Sequence, residues 1–158
     1  MFDGGPRQVL AAGDPAPDFC LPNQFGEPVS LAALRGTAVA LVFYPFAFSA
    51  TCTAELGELR DHRERFAAAG VRLLAVSADS KYALRSYAAA ENLGFELLSD
   101  FWPHGAVAQS YGVLDEGRGM ALRSTFLIRA QGGIADVFSS PTGQVRPLER
   151  YWQALEQL

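Results

Sequence analysis

Residues 38–44 read Ala-Val-Ala-Leu-Val-Phe-Tyr, and Pro45 stops the run. An unbroken apolar stretch of this length fits a strand buried on both faces, as in a parallel sheet covered by helices. From residue 52 to about 69 the period changes. Leu56, Leu59 and Phe66 recur at helical spacing between Arg and Glu residues, and Gly70 ends the pattern. Residues 71–77 form a second apolar strand, and Asp79-Ser80 can cap a helix over about 81–91. Residues 95–98 read as a third strand and 107–111 as a short helix. Residues 125–128 and 133–138 flank Gln131-Gly132-Gly133, a hairpin turn. Residues 147–158 form a last helix with Leu148, Tyr151, Trp152 and Leu155 on one side. Upstream, 18–21 and 29–31 pair as short strands around the turn 22–26, and 1–17 is a loose lead-in rich in Gly, Pro and Ala. Strand–helix alternation closed by a hairpin and a helix predicts an α/β fold of three layers around a central mixed β-sheet, in a single domain over 1–158. A thioredoxin-like arrangement fits, with a flavodoxin-like one as the structural alternative.

Composition agrees. With 49% hydrophobic and 19% charged residues among 158, the chain can bury a core and is no disordered tail. Thirteen Lys and Arg against 17 Asp and Glu leave a net charge of -4. Without a basic run, nucleic acid and anionic membrane are poor partners. No apolar stretch nears the ~20 residues that span a bilayer. Two cysteines exclude a disulfide scaffold and an all-Cys metal site. The opening residues Met1-Phe2-Asp3-Gly4-Gly5-Pro6 carry neither the basic nor the apolar part of a secretory signal, so a cytoplasmic, reducing setting is expected. Neither a cofactor nor a metal is called for.

The chemistry converges on residues 44–55, Tyr-Pro-Phe-Ala-Phe-Ser-Ala-Thr-Cys-Thr-Ala-Glu. A buried strand ends there and a helix starts, at the carboxyl edge of the sheet where open α/β folds bind ligands. At a helix N-terminus, unpaired N–H groups and the macrodipole favour the thiolate of Cys52, which is a nucleophile. The competing reading is a buried structural cysteine.

Pro45-x-x-x-Ser49-x-x-Cys52 resembles the active-site signature of the peroxiredoxin family, Pro-x-x-x-Thr/Ser-x-x-Cys. Gly13-Asp14-Pro15-Ala16-Pro17-Asp18-Phe19 is similar to that family's opening, and Val29-Ser30-Leu31 through Gly36 to its next segment. Leu98-Ser99-Asp100, Gly105 through Val113, and Arg123-Ser124-Thr125-Phe126 resemble later ones. Residues 101–107, Phe-Trp-Pro-His-Gly-Ala-Val, look most like the one-cysteine alkyl hydroperoxide reductase E group within the family.

The resemblance implies a thiol-dependent peroxidase acting on hydrogen peroxide and organic hydroperoxides. Cys52 would attack the peroxide and become a sulfenic acid. Ser49 would hydrogen-bond peroxide and thiolate, Arg123 would hold the thiolate and polarise the substrate, and Pro45 would shield the sulfur. The amides of Thr51 and Cys52 would add donors, and Glu55 would orient the arginine. Phe46 and Phe48 are core aromatics first, but they flank the site and suit an apolar collar for organic peroxides. The family also implies a homodimer and an external thiol or redoxin as reductant.

The two-cysteine patterns of the family find no partner for Cys52. Residue 57 is Gly, the helix 81–91 has no cysteine, and neither does the C-terminal tail. Only Cys20 remains. It reads as a small buried side chain in an early strand, with a resolving thiol as the alternative. A one-cysteine mechanism follows. A thioredoxin-type disulfide oxidoreductase is disfavoured because Glu55, not Cys, stands three after Cys52; a peroxide sensor or chaperone-like oligomer on the same fold is the non-catalytic rival. His62 reads as a surface residue within the helix after Cys52, and His104 as part of a loop at the site or the subunit interface. Gly117-Arg118-Gly119 is a turn, not a phosphate loop.

Overall fold

The computed structural model describes residues 8–158; the reading of residues 1–6 as lacking a signal sequence, and the first part of the lead-in, lie outside them. The apolar run becomes β3 (Ala38–Phe43), the middle of a five-stranded sheet. β4 (Val71–Ser77) pairs parallel to it, and β5 (Glu96–Ser99) parallel to β4. On the other side β8 (Ser124–Ile128) runs antiparallel to β3, and β9 (Ile134–Ser139) antiparallel to β8. The sheet is therefore mixed, in the order β5-β4-β3-β8-β9.

β3 is covered on both faces because its alternate residues feed two separate cores. Ala40 and Val42 join the cluster with α1 (Ala50–Asp61), α2 (Arg63–Ala68), α3 (Lys81–Glu91) and α5 (Leu148–Leu155). Val39, Leu41 and Phe43 join the opposite cluster, with α4 (Ala106–Ser110) and the ribbon of β1 (Cys20–Pro22) and β2 (Pro28–Ser30). The Asn23 side chain closes that ribbon by accepting the Phe25 and Glu27 amides.

The expected single helix over 52–69 is two. It begins at Ala50, with Ser49 as its cap, and breaks at His62. There φ is −115° and ψ 14°, and the imidazole Nδ1 bonds the Glu58 carbonyl. The turn aims Phe66 edge-on at Tyr151, 5.9 Å between ring centres. A second departure is a small hairpin, β6 (Leu114–Asp115) with β7 (Met120–Ala121), whose turn is Gly117-Arg118-Gly119. His104 belongs to its surroundings, bonding the Gly119 carbonyl at 2.6 Å.

Cys20 corrects an expectation. It is exposed, not buried. Leu21 takes the inward side of the two-stranded ribbon, so its neighbour faces out.

Candidate active site

Ser49, in extended backbone, accepts the Cys52 amide on its hydroxyl oxygen at 3.3 Å and so starts α1. That puts Cys52 at the third helical position, inside the first turn, where the backbone donors and the dipole converge. Of the two amides expected to add donors, that of Cys52 is thus engaged by Ser49; that of Thr51 has no partner among the described residues. Cys52 is fully buried, and Pro45 is buried.

Arg123 arrives from far along the chain. The β3–β8 register sets Ser124 opposite Phe43, so the residue just before β8 lies beside the point where β3 turns into α1. Its Nη2 donates to Cys52 Sγ at 3.4 Å and to the Thr142 carbonyl at 2.8 Å, and its Nη1 donates to Glu55 Oε1 at 2.8 Å. Glu55 stands one turn beyond Cys52 and is equally buried. The structure thus brings Cys52, Arg123, Ser49 and Glu55 together. Phe46 and Phe48 stand on the same loop, 41% and 55% exposed, so neither is the core aromatic expected.

A residue that sequence reasoning missed completes the cluster. Arg146, 1% exposed, donates to Glu55 Oε2 from its backbone at 2.7 Å and from Nε at 2.9 Å, and its Nη2 pairs with Glu55 Oε1. Its Nη1 reaches the Thr125 hydroxyl at 3.0 Å. Burial alone would push the Glu55 carboxyl up; bonding to Arg146, with Arg123 beside it, outweighs this and holds it below the usual carboxylate value. The buried set holds two guanidinium charges against one carboxylate. Cys52 Sγ lies beside them, on the Arg123 guanidinium.

Among the described residues no group of three or more His, Cys, Asp or Glu is placed to hold a metal ion, and no helix is long and apolar enough to cross a membrane. What the site itself offers is a buried thiol against a guanidinium.

Residues 12–137 match the AhpC/TSA family. The chain belongs to this family of peroxiredoxins. It is 40% identical over 151 residues to alkyl hydroperoxide reductase E of Mycobacterium tuberculosis, covering 95% of this chain and 99% of that one. It is also 40% identical over 135 residues to peroxiredoxin Bcp of Escherichia coli, covering 82% of this chain and 85% of that one. The crystal structure of peroxidoxin BcpB from Mycobacterium tuberculosis superposes with a TM-score of 0.80 at 30% identity, over 94% of this chain and 96% of that one. Enterococcus faecalis AhpC gives 0.85 at 30% identity, over 94% and 92%. The fold is thioredoxin-like, and this peroxiredoxin is a thiol-dependent peroxidase that consumes a peroxide and a reductant. The match to the family ends at residue 137, so Thr142 and Arg146 reach the site from beyond it.

Proposed function

We propose that Cys52 is the peroxidatic residue of a one-cysteine cycle. The observation that carries this is the 3.4 Å contact from Arg123 Nη2 to Cys52 Sγ, inside a buried cluster one negative charge short of balance. The Cys52 thiolate attacks the terminal oxygen of a hydroperoxide. An S–O bond forms, the O–O bond breaks, and the leaving alkoxide or hydroxide takes a proton from solvent. Cys52 is left as a sulfenic acid. Such a displacement needs an aligned anion and donors for the departing oxygen. Arg123 supplies charge and direction. The Ser49 oxygen already accepts the Cys52 amide, so its O–H hydrogen is free to donate to the peroxide. Pro45 shields the sulfur, Glu55 orients Arg123, and the Thr51 amide is a further donor. The exposed rings of Phe46 and Phe48 favour organic hydroperoxides alongside hydrogen peroxide.

An external thiol then attacks the sulfenic sulfur, releasing water and leaving a mixed disulfide that a second thiol resolves. This favours a thiol-rich, cytoplasmic setting. The position of Cys20 supports the one-cysteine reading. Cys20 lies on the ribbon whose inward face packs the core across the sheet from Cys52. A bridge needs Cα atoms within about 7 Å, and so a large rearrangement.

We also propose a homodimer through the end of the sheet where β3, β4 and β5 finish. Phe48, Tyr82, Phe101 and Trp102 follow those strands and are exposed. Light scattering at micromolar concentration checks it; a monomer excludes it.

Stopped-flow mixing of reduced protein with hydrogen peroxide, followed by mass spectrometry, tests the cycle. One thiol disappears fast and Cys52 gains a single oxygen. A rate no higher than that of free cysteine, or a Cys20–Cys52 bridge, rejects it.

A further inference from the structure

Asp79-Ser80 stands out in the sequence as a helix cap, but only Ser80 serves as one, accepting the Ala83 amide at 3.2 Å. Asp79 is turned elsewhere. Its Oδ2 accepts the Ala47 amide at 2.8 Å, across from β4 to the loop that carries Pro45 and Ser49. The same oxygen accepts the Ser77 hydroxyl at 2.7 Å, and the Asp79 carbonyl accepts the Ser99 hydroxyl at 2.6 Å. The acceptor is thereby fixed by the ends of two strands before it meets the loop.

The loop needs a hold from outside. Ser49 is tied forward into α1, its carbonyl accepting the Thr53 amide at 2.9 Å, but the bonds that fold the loop before it are long: Ser49 amide to Phe46 carbonyl at 3.4 Å, and Cys52 amide to Ser49 hydroxyl oxygen at 3.3 Å. Phe48, between Ala47 and Ser49, has φ +70°, a region that a bulky side chain occupies only when its surroundings enforce it. Two contacts bracket it. On one side is the Ala47–Asp79 bond. On the other, the Phe48 ring lies 4.9 Å from that of buried Tyr87, whose hydroxyl bonds Thr53, the residue after Cys52. Asp79 lies between β4 and α3, and Tyr87 lies within α3. Without them, relaxation at Phe48 would rotate the next residue, and that residue is Ser49, the cap of α1.

We propose that Asp79 is a positioning residue for the peroxide reaction: through the Ala47 amide it holds the strained loop so that Ser49 and Pro45 stay aligned with the Cys52 sulfur. This rests on Cys52 being the peroxidatic residue, and it concerns alignment, not the presence, of the nucleophile.

The test compares two electrophiles on the full chain. Peroxide needs the aligned loop; iodoacetamide needs only the sulfur. Asp79→Ala lowers the rate constant of Cys52 oxidation by about 10- to 100-fold, the scale of a misplacement near 1 Å, while the rate of Cys52 alkylation is unchanged. Asp79→Asn keeps a carbonyl acceptor and recovers most of the peroxide rate. In the unaltered protein, the Ala47 amide exchanges with deuterated solvent more slowly than that of Phe46 or Phe48, a measurement that does not depend on any variant folding. An oxidation rate within twofold of the original in folded Asp79→Ala, alkylation falling in parallel with oxidation, or an unprotected Ala47 amide overturns the proposal. If the unaltered protein itself shows no fast oxidation, the assignment of Cys52 fails instead.

Discussion

Cys52 and Cys20 carry the same side chain in opposite surroundings. Cys52 is buried in the first turn of a twelve-residue helix, with a guanidinium on its sulfur and a second one behind the shared carboxylate. Cys20 is exposed on a two-stranded ribbon, and no described side chain bonds its sulfur. Accessibility alone would nominate Cys20 for chemistry. Electrostatics and alignment nominate Cys52. The difference teaches that a thiol becomes a peroxide-reducing group through what is aimed at it.

The largest expected effect follows directly. Cys52→Ser abolishes fast peroxide consumption and leaves Cys20 reacting at the pace of a free thiol, as stopped-flow and thiol titration will read. Fast turnover in that variant would transfer the assignment to the ribbon. Next comes Arg123→Ala, expected to slow Cys52 oxidation by about 10²- to 10³-fold, the usual cost of removing one preorganised donor. Arg123→Lys should recover only part, because an ammonium keeps the charge but not the fork that joins Cys52, Glu55 and Thr142.

Most of this frame was readable in advance, and the failures have physical causes. β3 and β4 are unbroken apolar runs, and the bounds of α3 at 81 and 91 are legible because a capping serine marks its start. The helix break at His62 has no Gly or Pro to announce it. The β6–β7 hairpin has strands of two residues, too short for any period to show. Cys20 faces out because a two-stranded ribbon buries only one side, and Leu21 takes it. Arg146 gave no sign at all. Within Gly-Gln-Val-Arg-Pro it looks like a solvated loop residue, and its burial is dictated by Glu55, 91 positions away. Arg123 was found through its resemblance to a family motif; Arg146 had none.

Glu55 makes the contrast sharper. Glu55→Gln removes the carboxylate that two buried guanidiniums share, so a stability loss of about 3–5 kcal/mol is expected, with oxidation slowed by roughly tenfold. Its pH dependence has a definite sign. The folded carboxyl lies below its unfolded value, so its stabilisation is complete above about pH 4.3 and is withdrawn as pH falls through the folded value. Thermal melts from pH 7 to 3 should show the gap between the original protein and Glu55→Gln narrowing only below about pH 4. A gap that closes between pH 5 and 7 would mean that the carboxylate is not the group being lost.

The smallest expected effect is the most discriminating for mechanism. Cys20→Ser should leave the oxidation rate of Cys52 within about twofold, because Cys20 contributes nothing to the cluster around the sulfur. The recycling step should be equally unmoved, with the same sulfenic acid persisting until an added thiol removes it. If Cys20 resolved Cys52, this variant would accumulate sulfenic acid where the original protein formed an internal disulfide. The ribbon and the active-site helix pack against opposite faces of one sheet whose middle strand is buried from Val39 to Phe43, so closing that bridge would mean unpacking a core. A disulfide between residues 20 and 52 in peroxide-treated protein, absent from Cys20→Ser, would therefore show both that the cycle uses two cysteines and that one layer of the fold opens during turnover.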